Sequence, residues 1–110
     1  KSIRVITKLK SELNNMEKVK AESLQHAREQ INAIDTALVE LIAARQYYVD
    51  QTTRFKKTET DLQSPDRMEQ VIERVKGLAI EKGLDQAFVE HLYREMFAHF
   101  IQRELKEFRP

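Results

Sequence analysis

The chain of 110 residues contains no cysteine and no tryptophan, and only two glycines and two prolines. Without cysteine there is no disulfide framework, no thiolate nucleophile and no thiolate metal site, a composition that suits a reducing compartment. Scarce glycine and proline remove most of the turn chemistry that an all-β chain needs between strands. An excess of one charge sign is also missing: 19 Lys and Arg stand against 18 Asp and Glu, for a net charge of +1. That balance supplies no concentrated basic surface for nucleic acid. No apolar run approaches the roughly 20 residues that cross a bilayer. Neither a glycine-rich phosphate loop nor a Ser/His/Asp set points to phosphoryl or acyl transfer. The length fits one small domain, and a cytoplasmic protein is expected, although Lys1 in place of an initiating Met is compatible with a removed leader.

What the chain does have is one long helical pattern from Leu24 to Lys57. Leu24, Ile31, Ile34, Leu38, Leu41, Tyr48, Thr52 and Phe55 fall at steps of three and four residues, one stripe along an α-helix. Arg28 and Arg45 belong to the same series. Burying a guanidinium without a partner costs several kcal/mol or more, so a seam arginine either snorkels along apolar surface or meets an anion. At about 1.5 Å per residue the two arginines stand roughly 25 Å apart, too far for one small ligand to touch both from one helix. If both bind anions, one serves its own subunit and the other a partner's. A helix from near Glu22 to Phe55 would be on the order of 50 Å long, and two shorter helices leave part of its stripe bare. An intertwined homodimer is the economical way to cover it.

The remaining segments are shorter. Ile6, Leu9, Leu13 and Met16 keep helical spacing, weakened by Asn14-Asn15, so residues 1–21 are expected to form an N-terminal arm. Residues 58–63 are polar and irregular, a loop by composition. Ser64-Pro65-Asp66-Arg67 is a helix start, with Ser64 as N-cap and Pro65 in the first turn. Met68, Val71, Ile72, Val75 and Ala79 form the inner face of this second helix, and Gly83 stops it. Asp85 can cap a third helix that runs to about Glu107 and carries so many apolar residues that burial on most sides is expected. In it Leu92, Met96 and Phe100 step by four, and the next step lands on Glu104, an acid that lies either on the core face or, one turn from the helix end, in solvent. His91, Glu95 and His99 share a face at spacings that can ligate zinc, but no fourth ligand is evident and a solvated face explains them equally; no metal is expected.

The run Arg28-Glu-Gln-Ile-Asn-Ala-Ile-Asp35, then Leu38-Val-Glu-Leu-Ile-Ala-Ala-Arg45 and Arg54-Phe-Lys56, resembles the long first helix of the all-helical chorismate mutases. The spacing of Arg28, Arg45 and Lys56 matches the register of that family's active site, and the resemblance extends over about residues 22–108. It implies an all-α fold: a three-helix protomer with one very long first helix, in an intertwined homodimer whose sites each take one arginine from the neighbouring subunit. By position, Arg28 would bind a substrate carboxylate in the partner's site and Arg45 the other carboxylate within its own subunit. Lys56 would donate to the ether oxygen of the breaking bond, Arg67 would be a further substrate-binding cation, and Glu104 would be the second ether-oxygen donor, a position often held by Gln. The implied substrate is a small dicarboxylate, and no metal or cofactor is implied. These residue types suit a pericyclic reaction, which needs no nucleophile but needs a dianion held in its folded reactive shape and charge stabilised as bonds break.

Ser64 and Met68 stand where many mutases carry Asp and Glu, and the connection from Lys56 to Arg67 is one residue shorter. With Gly83-Leu-Asp85 and Phe88-Val-Glu90, these features resemble the related isochorismate–pyruvate lyases, which however usually carry Gln where this chain has Glu104. Chorismate mutase, the family's common activity, is the first expectation. Isochorismate–pyruvate lyase is the second, and a mutase of 4-amino-4-deoxychorismate the third. A non-catalytic helical dimerisation module, with polar seam residues fixing register, is the reading from another class.

Overall fold

The computed structural model describes residues 18–58, 61 and 64–107, and every regular element among them is helical. Helix α1 spans Leu24–Thr52, α2 Pro65–Lys82 and α3 Gln86–Glu107, with a 3-10 turn at Thr53–Phe55. The apolar positions expected before residue 18, and Phe108, lie outside the described residues. The chain forms two compact units, residues 1–51 and 52–110.

In the first unit α1 starts two residues later than expected because Ser23 caps it. The His26 N–H donates to Ser23 Oγ (3.0 Å) and the Ala27 N–H to the Ser23 carbonyl (3.1 Å). The Glu22 N–H donates in return to Nδ1 of His26 (3.1 Å), so donors on both sides of the start are satisfied. At about 1.5 Å per residue, its 29 residues make a rod of roughly 43 Å. Within one chain most of its apolar stripe is not covered: Leu24, Ile31, Ile34, Leu38 and Tyr48 remain exposed. Ala37, 4% exposed, is the buried residue of the helix, and Ala33, Leu41, Ala44 and Arg45 around it are half-buried. The most covered line of α1 thus combines three alanines beside the stripe, Ala33, Ala37 and Ala44, with two members of the stripe series, Leu41 and Arg45.

The second unit is built on an antiparallel pair, α2 and α3. Pro65 opens α2, where its missing N–H costs nothing. Gly83 ends it at φ 73°, its own N–H bonding back to the last turn and the Leu84 N–H reaching the Ala79 carbonyl (2.8 Å). Two residues later Asp85 starts α3, its Oδ1 accepting from the Ala87 N–H (2.8 Å). Val71, Ile72, Val75 and Ala79 are buried as the spacing of α2 predicts, Ile72 at 1% exposure, while Met68 is half-buried. Helix α3 is less enclosed than its composition suggests: Phe100 and Glu104 are buried, whereas Phe88 and Leu92 are exposed. Burial grows from the N-terminal to the C-terminal half of α3, along the step-of-four series that ends on Glu104.

The start of α2 departs from expectation in one respect. Ser64 occupies the N-cap position, but its hydroxyl does not cap the helix; it donates to the Asp61 carbonyl. The Ser64 backbone is left-handed, φ 39°, a conformation that costs a non-glycine residue about 1–2 kcal/mol.

Candidate functional site

Five side chains were singled out by sequence: Arg28, Arg45, Lys56, Arg67 and Glu104. The first unit holds the two seam arginines on a single uninterrupted helix, so they are not brought together by their own chain. Arg28 is exposed on α1. Arg45 is half-buried, about two helical turns beyond the buried Ala37. Its partial burial distinguishes it from the exposed Arg28.

The second unit holds the other three. Tight pairs between Glu69 and Arg94 and between Lys76 and Glu90 set an antiparallel register, so Arg67, in the first turn of α2, lies at the open end of the hairpin. Glu104, one turn from the end of α3, lies at that same end, away from the Gly83–Asp85 turn. It is 7% exposed, the buried charged residue among those described. Of the two placements open to it in the sequence, the structure therefore has the core face. A carboxyl at such a site can donate a hydrogen bond only when protonated and accepts when ionised. One atom each of Arg45 and Glu104, Nη1 and Oε2, is buried without a hydrogen bond among the described residues, while both side chains make other interactions.

Lys56 lies on the segment leading into this end. The 3-10 turn tightens the exit from α1, and the Lys56 N–H closes it on the Thr53 carbonyl (3.1 Å). Lys56 itself is extended, φ −102° and ψ 134°, and half-buried. Just before it, the Arg54 guanidinium sits 5.7 Å from the centre of the Phe55 ring.

Asp61 has helical backbone, where the composition of residues 58–63 reads as irregular loop. Its Oδ2 accepts from two consecutive backbone N–H groups, those of Lys57 (3.1 Å) and Thr58 (3.2 Å), and its own N–H donates to Thr58 Oγ1 (3.0 Å). The Lys57 N–H above all holds the Asp61 carboxyl below the usual carboxylate range; desolvation opposes this, and Thr58 and the Lys56 charge reinforce it. The signal was present in the sequence: Thr58 and Asp61 stand three apart, the spacing of a capping box, with Asp in place of the usual Glu or Gln.

His91, Glu95 and His99 are exposed on α3, and His99 meets Phe100 edge-on at 5.2 Å. Among the described residues, no group of three or more His, Cys, Asp or Glu is arranged to hold a metal ion, and no helix is long and apolar enough to cross a membrane. The first unit thus carries two candidate cations, Arg28 and Arg45, and the second unit carries two more, Lys56 and Arg67, with one buried acid, Glu104. Arginine side chains can bind carboxylates through forked contacts, and a lysine or a protonated acid can donate hydrogen bonds to an oxygen.

Residues 27–105 match the family described as chorismate mutase type II. The chain is also similar to an isochorismate pyruvate lyase of Pseudomonas aeruginosa, 33% identical over 86 residues, which cover 78% of this chain and 85% of the relative. The family match over residues 27–105 contains all five candidate residues. The chain belongs to the chorismate mutase type II family.

Proposed function

We propose that this protein is an isochorismate–pyruvate lyase, working as a homodimer on a chorismate-type dianion. The similarity to a lyase over most of both chains carries this choice, and Ser64 and Met68 at positions where many mutases carry Asp and Glu agree with it. In the reaction the carbon–oxygen bond to the ring breaks, a ring hydrogen passes to the methylene carbon of the departing enolpyruvyl group, and salicylate and pyruvate result. No group on the protein enters the bond changes.

The side chains have binding and electrostatic roles. Arg45 holds one carboxylate of the substrate, and Arg28 reaches across the dimer to hold a carboxylate in the other subunit's site; two forks fix the substrate in its folded shape. Lys56 donates to the ether oxygen as negative charge develops there, an interaction stronger in the transition state than in the ground state. Arg67 adds a further cation, and Glu104, when protonated, a second donor to the same oxygen. The exposed Leu24, Ile31, Ile34 and Leu38 on α1 support the dimer, since a continuous apolar stripe on a long helix is stabilised by a partner.

Chorismate mutase is the second reading, and Glu104 favours it, because lyases usually carry Gln at that position. Incubating the purified protein with isochorismate and, separately, with chorismate, followed by chromatography, tests the assignment. Salicylate and pyruvate from isochorismate are expected as the faster reaction. Prephenate as the faster product would make the protein a mutase. Turnover of neither would leave the aminated substrate and then the non-catalytic dimerisation module.

A further inference from the structure

Asp61 joins the two cationic positions of the second unit. On one side it takes the N–H groups of Lys57 and Thr58, the two residues directly after Lys56. On the other, its carbonyl accepts the hydroxyl of Ser64, which stands three residues before Arg67. The Thr58 hydroxyl closes the arrangement by accepting the Asp61 N–H. One carboxylate therefore fixes two peptide planes next to Lys56, and the same residue's backbone anchors the entry to α2.

We propose that Asp61 is a positioning residue, holding the Lys56 backbone and the start of α2 so that Lys56 and Arg67 are presented to the substrate together. The proposal rests on the roles given above to Lys56 and Arg67. Asp61 acts through Lys57, Thr58 and Ser64, and has no part in the bond changes. The need for such a device follows from Lys56 itself. A lysine is a point charge on a flexible four-carbon stem, so where its ammonium can reach depends on how its backbone is held. Lys56 lies outside any α-helix, in extended backbone after a 3-10 turn, and regular hydrogen bonding does not continue past it. Two hydrogen bonds from the residues that follow it to one charged acceptor supply the missing rigidity.

Two variants separate positioning from charge. Asp61→Ala removes the acceptor; Asp61→Asn keeps a carbonyl acceptor of the same shape and removes the charge. For each, turnover of isochorismate and chorismate is measured on the full chain, together with amide hydrogen exchange at Lys57 and Thr58 by NMR. In Asp61→Ala, kcat should fall roughly tenfold to a hundredfold, the loss expected when a catalytic group is displaced by about an ångström. KM should change less, and exchange at both amides should be several-fold faster. Asp61→Asn should recover most of the turnover and the protection. Wild-type turnover and exchange in Asp61→Ala would overturn the proposal, and so would equal losses in both variants, which would make the charge the active feature. If the wild-type protein turns over neither substrate, the functional assignment fails separately. The exchange rates then decide whether Asp61 holds the Lys56 segment: unchanged protection in Asp61→Ala sinks it, and faster exchange restored by Asp61→Asn supports it.

Discussion

Arg94 and Glu69 meet fork to fork across the α2–α3 hairpin, Nη1 lying 3.0 Å from Oε2 and Nη2 3.2 Å from Oε1. The third edge of the same guanidinium, Nε, donates to Glu90 (2.8 Å), and Glu90 in turn lies 3.7 Å from Lys76. An isolated exposed ion pair contributes little, but a planar fork that satisfies two carboxylates at once has the geometry in which such pairs count. Arg94 is accordingly more strongly basic than an ordinary arginine, chiefly through its hydrogen bonds to Glu69 and then Glu90.

The pH dependence of this network has a definite sign. The Arg94 hydrogen bonds, first among the causes, hold the Glu69 carboxyl below its ordinary value of 4.5. A carboxyl held lower in the folded chain adds stability above the unfolded value and loses it as pH falls through the folded value. Arg94→Ala should therefore destabilise the protein at neutral pH, by an amount that shrinks as pH drops below 4.5. It should shrink also in about 1 M salt, where screening acts within roughly 3 Å. Urea unfolding of both proteins under these conditions checks the claim; a difference unaffected by either pH or salt would contradict it.

The two glycines should respond oppositely to alanine. Gly77 lies inside α2, and a methyl group added there meets nothing within 4 Å. Gly77→Ala should stabilise the protein by about 0.5–1 kcal/mol through helix propensity and the unfolded chain. Gly83 is left-handed at φ 73°, so Gly83→Ala should cost about 1–2 kcal/mol although the space is equally open. Thermal unfolding midpoints moving in opposite directions would confirm both.

Both ends of α2 and the start of α3 are legible in the sequence because each is written in local chemistry: Pro65 at the start, Gly83 at the stop and Asp85 at the next start. The inner face of α2 is legible for the same reason, since Val71, Ile72, Val75 and Ala79 follow one period. Glu104 is different. Its place in the step-of-four series marks it, but whether that series is covered so near the helix end depends on tertiary packing, which periodicity does not contain. The enclosure expected of α3 fails on Phe88 and Leu92 because composition counts apolar residues without saying which are covered within one chain. The Ser64 hydroxyl goes to the Asp61 carbonyl instead of the helix, and the cap preference of serine does not say which of these partners wins. The Glu69–Arg94 pair joins residues 25 apart and has no local signature, whereas the Glu90–Arg94 contact, at four residues, does.

A shared site makes a mixing prediction. Arg28→Ala and Arg45→Ala should each be nearly inactive alone. Unfolded together and refolded, they should regain activity, because one of the two sites in a mixed dimer contains both intact arginines. With random pairing, half of the dimers are mixed, so recovery approaches about a quarter of wild-type activity under this model of oligomer closure. No recovery, with both variants folded and dimeric, would place the two arginines in sites of the same subunit or remove one of them from the site.

Glu104 should control a pH profile. It can assist the departing oxygen only as a donor, so activity should fall as pH rises through its ionisation. Glu104→Gln supplies a permanent donor of nearly the same shape and should flatten that fall, raising or preserving activity on the alkaline side. Identical profiles in the two proteins would take this role from Glu104. Loss of activity in Glu104→Gln at every pH would assign it a carboxylate function.

Catalysis as proposed turns on Lys56 stabilising charge on the ether oxygen of a bound dianion. The direct measurement is the initial rate of salicylate release from isochorismate, followed by its fluorescence, for wild type and Lys56→Ala across substrate concentrations. The expected result is release by the wild-type protein and a kcat lower by roughly a hundredfold or more in Lys56→Ala, with KM changed far less, the pattern of an interaction made mainly in the transition state. An unchanged kcat in a folded Lys56→Ala protein, or a loss confined to KM, would contradict it.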